Sequence, residues 1–169
     1  MKGYTNEEDT AKVFETDVYG KVWFHTGDLG KNVDGKIYYS GRLNRRIKVN
    51  GELICAEDLE EVISKYEPIK ECCVVAKADP QKEAVPVAYI TLKEGYSYTE
   101  ALIKELKEYY ESNLSPFARP VFTTCLEELP KTAVGKPDFK QLQHSADCMP
   151  NSNTKGSNKQ KTLTSLISV

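Results

Sequence analysis

Between Ile47 and Leu126 the apolar residues switch period repeatedly, and that order limits the fold more than any other feature of the chain. Ile47-Lys48-Val49 and Leu53-Ile54-Cys55 flank Asn50-Gly51. That dipeptide favours positive φ at both positions and so marks a two-residue hairpin. Leu59, Val62, Ile63 and Tyr66 then recur at helical spacing, and Pro68 stops the run. Acids crowd the start of this helix, where its dipole favours them. Cys72–Ala76 and Val85–Leu92 read as two strands around a turn at Asp79-Pro80. Pro86 puts the second at an edge or a strand start. Thr99 is an N-cap ahead of a helix reaching Asn113, with Leu102, Ile103, Leu106, Tyr109 and Tyr110 on one face. Pro120 to Leu126 gives a last strand, and Asp138 to Leu142 a final helical turn. The order β-α-β-β-α-β predicts a small α+β domain over residues 41–143. Its sheet has three to four strands plus an extra hairpin, with helices on one or both faces.

The flanks read differently. Residues 1–40 carry short strands, Val22-Trp23-Phe24 and Lys36–Tyr39, around a tight turn at Asp34-Gly35. Their apolar content is too small for a core, so this piece is expected to be the trailing edge of a larger body. Alone, it exposes Trp23, Phe24, Tyr38 and Tyr39, which predicts self-association. From residue 144 the composition turns to Ser, Asn, Lys, Thr and Gln, and residues 144–169 read as a disordered tail.

Composition narrows the function classes. The net charge is −2 with both signs interspersed, and no basic stripe speaks for nucleic acid. The five cysteines form no C-x-x-C pair, which points to free thiols in a reducing compartment rather than a disulfide framework or zinc. No apolar run reaches the ~20 residues of a membrane span. The expected location is the cytoplasm.

Three segments carry chemistry. Trp23-Phe24-His25-Thr26-Gly27-Asp28 ends an aromatic strand on a carboxylate. Gly41-Arg42-Leu43-Asn44-Arg45-Arg46-Ile47-Lys48-Val49-Asn50-Gly51 leads into the hairpin. Leu129-Pro130-Lys131-Thr132-Ala133-Val134-Gly135-Lys136 sets a lysine behind a glycine in a loop bounded by prolines. Taken singly, each is a turn acid, a surface arginine or a solvated lysine. In this order they resemble the closing motifs of the adenylate-forming enzymes, of the acyl-CoA synthetase type, over roughly residues 1–142.

The resemblance implies a set of roles. Asp28 and Arg42 hold the nucleotide ribose: a carboxylate accepts two hydroxyls, and a guanidinium fork donates to them. Asn44 is the hinge on which a C-terminal domain swings, in place of the family's usual Asp or Lys. Lys136 is catalytic in adenylation. Lys48 is catalytic in the thioester step, and Asn50 and Gly51 meet coenzyme A. The substrates implied are a carboxylic acid, ATP with Mg and coenzyme A, with no metal site in this chain. The phosphate loop and acyl pocket would lie in an N-terminal domain that is absent here, so the chain alone is expected to be inactive. A module loading a carrier protein and a non-catalytic binding domain are the alternatives. Leu53 stands where the family is often polar. Ala56-Glu57-Asp58-Leu59-Glu60 replaces the usual Pro-x-Glu-Ile-Glu, a change that reads as structural.

Overall fold

The computed structural model describes residues 3–149. The chain divides into two units between Asn44 and Arg45.

In the first unit, helix α1 (Glu7–Val13) starts at Asn6, whose side chain accepts from the Glu8 amide. The sequence reading has no helix there: α1 buries no residue, so no apolar period announces it. Strands β1 (Phe14–Thr16) and β2 (Val22–Phe24) form one hairpin. Asp17 closes its turn by accepting from Tyr19 N, Lys21 N and Trp23 Nε1. Strands β3 (Asp28–Val33) and β4 (Lys36–Arg42) form a second hairpin around Asp34-Gly35. Among the described residues of this unit only Gly41 is buried, so two hairpins stand without a core. Trp23 and Tyr38 remain about half exposed (49% and 55%).

The second unit follows a 3-10 turn, Leu43–Arg45, that spans the division. It contains β5 (Arg46–Val49), β6 (Glu52–Cys55), α2 (Ala56–Ser64), β7 (Ile69–Asp79) and β8 (Glu83–Leu92). It continues with α3 (Glu100–Asn113), β9 (Phe122–Cys125) and α4 (Phe139–Asp147). Strands β7 and β8 pair antiparallel along their whole length, and β9 runs parallel to β8 on its other edge. The β5–β6 hairpin joins β8 through the single pair Val49–Glu83, making five strands. Pro86 lies inside β8, yet no ladder bond to β7 is lost. Its carbonyl accepts from Val121 N on the opposite edge, and a residue's N and C=O leave a strand on the same side.

Alternation along β7 and β8 builds two cores. Val74, Ala88 and Ile90 face α2 and α3, burying Leu59, Ile63, Leu106 and Tyr110. Cys73, Val75, Val87 and Tyr89 face the other way and pack Leu129, Leu142 and Ala146. A strand buried on both faces loses the simple apolar–polar alternation. Both sheet faces are therefore covered, α4 taking the second.

One expectation needs correction. The tail does not begin at residue 144: α4 continues to Asp147, Ala146 is 0% exposed, and Lys77 Nζ donates to the Met149 carbonyl at 2.8 Å. Leu142 and Ala146, four apart on one helix face, carry this packing beneath an otherwise polar composition. The remainder of the expected tail, 150–169, lies outside the described residues.

The middle of the free edge of β7 is capped by side chains. Val74 N donates to Glu60 Oε1 at 2.7 Å, and Val74 O accepts from Arg45 at 3.0 Å. Two residues on, the Ala76 carbonyl accepts from Gln143. Over Val74–Ala76 these bonds occupy groups that another strand would need.

Candidate functional site

Asp28 and Arg42 stand directly opposite in the β3–β4 register, and Arg42 Nε lies 3.0 Å from Asp28 Oδ1. Thr26 Oγ1 accepts from Asp28 N, and Leu43 N donates to Gly27 O, which fixes both ends of this pair of strands. Two residues assigned to one ligand from separate motifs are thus brought together, half exposed, by a single hairpin.

Asn44, the last residue of the first unit, is exposed in the 3-10 turn. The next residue is held firmly. Arg45, with its side chain 10% exposed, pairs with Glu60, donates to Val74 O and lies over the Phe139 ring. Burial works to lower its pKa, but the Glu60 carboxylate outweighs it and holds the guanidinium above its ordinary value. A free residue therefore adjoins one pinned to α2, β7 and α4. Sequence reasoning gave Arg45 no role, because its partners lie far along the chain.

The Lys48–Gly51 hairpin is held at its tip. Asn50 and Gly51 take φ of 51° and 84°, the left-handed pair of a two-residue turn. Asn50 N donates to Lys82 O at 3.0 Å. Glu83 receives Lys48 Nζ at 2.7 Å and the Gly51 amide at 3.0 Å, one on each carboxylate oxygen. Both contacts hold the Glu83 carboxyl below its ordinary pKa, Lys48 contributing more. Glu83 was also missed, since an acid in a turn announces nothing. Leu53 pairs with Lys48 across the hairpin and is exposed.

Lys136 sits on the return arm of a second small hairpin, beside the Lys131–Pro137 bridge that closes it, with Ala133 and Val134 at the turn. Thr132 N donates to Lys136 O and Gly135 N to Thr132 O, with Gly135 at φ 79°. Its two lysines differ. Lys131 lies 3.4 Å from Glu71 and 3.6 Å from Glu128, tying the loop down. Lys136 is exposed, and no ion pair to it is seen among the described residues.

The sheet separates the two loops. The Asn50-Gly51 tip touches β8 at Glu83, its first residue. Lys131 reaches Glu71, whose partner in β8 is Thr91, near the far end. Eight residues of strand at about 3.3 Å each put about 26 Å between those anchor points. Neither loop supplies a metal set: among the described residues no group of three or more His, Cys, Asp or Glu stands together. Cys72 and Cys73 are poor nucleophiles as well. Burial, then Glu60, raises the Cys72 thiol and pushes Cys73 up to about 12.

Residues 58–136 match the family of AMP-binding enzyme C-terminal domains, and the match ends on Lys136. The chain is 39% identical over 139 residues to 2-succinylbenzoate–CoA ligase of Listeria innocua, covering 82% of this chain and 28% of that protein. The chain belongs to the adenylate-forming enzymes, as their C-terminal part. A second relative is surfactin synthase subunit 2 of Bacillus subtilis, 35% identical over 144 residues, covering 83% of this chain and 4% of that protein. Among solved structures, an anthranilate CoA ligase in complex with anthranoyl-AMP superposes with a TM-score of 0.71 at 27% identity. That match covers 85% of this chain and 27% of the ligase. The chain thus spans under a third of the CoA ligases it matches. Among its described residues no helix is long and apolar enough to cross a membrane.

Proposed function

We propose that this chain is the mobile part of a cytoplasmic acyl-CoA synthetase. In the first half-reaction a carboxylate oxygen attacks the α-phosphorus of ATP, and pyrophosphate leaves. In the second the sulfur of coenzyme A attacks the acyl carbon, and AMP leaves. Lys136 serves the first step. A compact ammonium with three donors draws two anions together and stabilises charge moving onto pyrophosphate. The hairpin serves the second, with Asn50 and Gly51 offering close backbone approach to the pantetheine arm and Lys48 a cation beside it. Asp28 and Arg42 hold the ribose, and Asn44 is the pivot.

The observation that carries this reading is the spacing of the two loops. Loops anchored about 26 Å apart on one rigid sheet cannot enter one active site together. A chain carrying both must reorient between steps, and the free residue Asn44 beside the pinned Arg45 is where it would turn. The likeness to a surfactin synthase favours a second reading, in which the thiol belongs to a carrier protein.

Half-reaction kinetics in the whole enzyme test the assignment. Lys136→Ala should slow adenylate formation by ~10²–10³-fold and leave acyl transfer from preformed adenylate nearly intact. Gly51→Val should do the reverse. Equal losses in both steps would overturn the division of labour. The acceptor is settled by offering coenzyme A and a holo-carrier protein side by side. The isolated chain should turn over no acid with ATP and bind AMP no better than about millimolar, near −4 kcal/mol.

A further inference from the structure

Glu83 lies outside every motif, yet the hairpin tip is organised around it. It stands at the β7–β8 turn with φ 67°, a left-handed conformation that suits glycine better than glutamate. The turn is built from within: Asp79 Oδ1 accepts from Gln81 N at 2.9 Å and from Lys82 N at 3.0 Å. Lys82 and Glu83 then take three donors from the hairpin: Asn50 N, Gly51 N and Lys48 Nζ. Only a carboxylate can give one oxygen to the cation and the other to the amide while carrying the matching charge. Apart from these bonds, the hairpin's register with β8 is the single pair Val49–Glu83.

We propose that Glu83 is a positioning residue for the thioester step: its carboxylate fixes the Lys48–Gly51 hairpin in the shape presented to the incoming thiol. The proposal rests on the hairpin serving that step. An exposed ion pair adds little to global stability. Here it acts on a tip with few other restraints, and small displacements at a reacting centre are costly.

Glu83→Gly, Glu83→Ala and Glu83→Gln in the whole enzyme, with Lys48→Ala and Gly51→Val beside them, form the test. Glycine keeps the turn without strain, so the melting temperature of Glu83→Gly should hold or rise. Its Gly51 amide should nevertheless exchange about tenfold faster, and acyl transfer should slow about tenfold with a raised KM for coenzyme A. Adenylate formation should keep its rate. Glu83→Gln should recover part of the loss, because its carbonyl still accepts from Gly51, and Glu83→Ala should not. Two results overturn the proposal alone: acyl transfer unchanged in Glu83→Gly while Lys48→Ala or Gly51→Val slows it, or equal losses in both half-reactions. Acyl transfer unchanged in all five variants would remove the hairpin's assigned role, and the proposal with it.

Discussion

Lys131 Nζ lies 3.4 Å from Glu71 Oε1, and this ion pair ties the loop that carries Lys136 to the end of β7. Two lysines in one motif therefore divide between holding and reaching. Lys131→Ala should loosen the loop, slowing adenylate formation a few-fold through poorer positioning. A half-exposed pair contributes at most ~1 kcal/mol to stability. Lys136→Ala should leave stability unchanged. Denaturant melts alongside pyrophosphate exchange separate the two, and a Lys131→Ala enzyme as impaired as Lys136→Ala would contradict the division.

Asn44→Pro should fix φ in the 3-10 turn next to the pinned Arg45. A chain unable to turn there keeps one half-reaction and loses the other. Separate assays of the two steps check this, and full rates in both would move the pivot elsewhere.

Arg45→Met removes the cation from Glu60 and one donor from Val74 O. Glu60 keeps the Val74 amide but is left as a largely buried carboxylate without its cation, so unfolding free energy should fall by ~3 kcal/mol, with Glu60→Gln in the same background recovering part of it. Arg45→Lys should cost less, but it cannot reproduce the two-pronged contact. Chemical denaturation of this chain provides the measurement.

Acid should release the hairpin tip late. Lys48, and then the Gly51 amide, hold the folded pKa of Glu83 below its ordinary value of 4.5. A depressed carboxyl contributes stability above its unfolded value and loses it as pH falls through the folded one. The Gly51 amide resonance should therefore titrate with a midpoint below 4.5, and that midpoint should rise in Lys48→Met. A midpoint at or above 4.5 in the unaltered chain would refute the latch.

Within residues 46–126 the sequence alone marked which segments extend and which coil, whereas α1, β1 and β3 carry no such signal, β1 and β3 being the partners of β2 and β4. Asn50-Gly51 forces its hairpin through local φ preference, and Thr99 caps α3 with its own side chain. The motifs around Asp28, Arg42, Lys48 and Lys136 were legible because each is contiguous, with chemistry set by residue type. Only the tertiary structure decided what holds those segments in place. Arg45 meets Glu60 and Lys48 meets Glu83 across long stretches of chain, and no local pattern encodes a contact that depends on strand register. The turn of helix beyond residue 144 was hidden for the same reason, since Ala146 counts as core only once α4 lies on Tyr89 and Val75. The separation of the Gly51 and Lys136 loops belongs to the fold as well: it is the length of β8, and it becomes a distance only when β7 lies beside it.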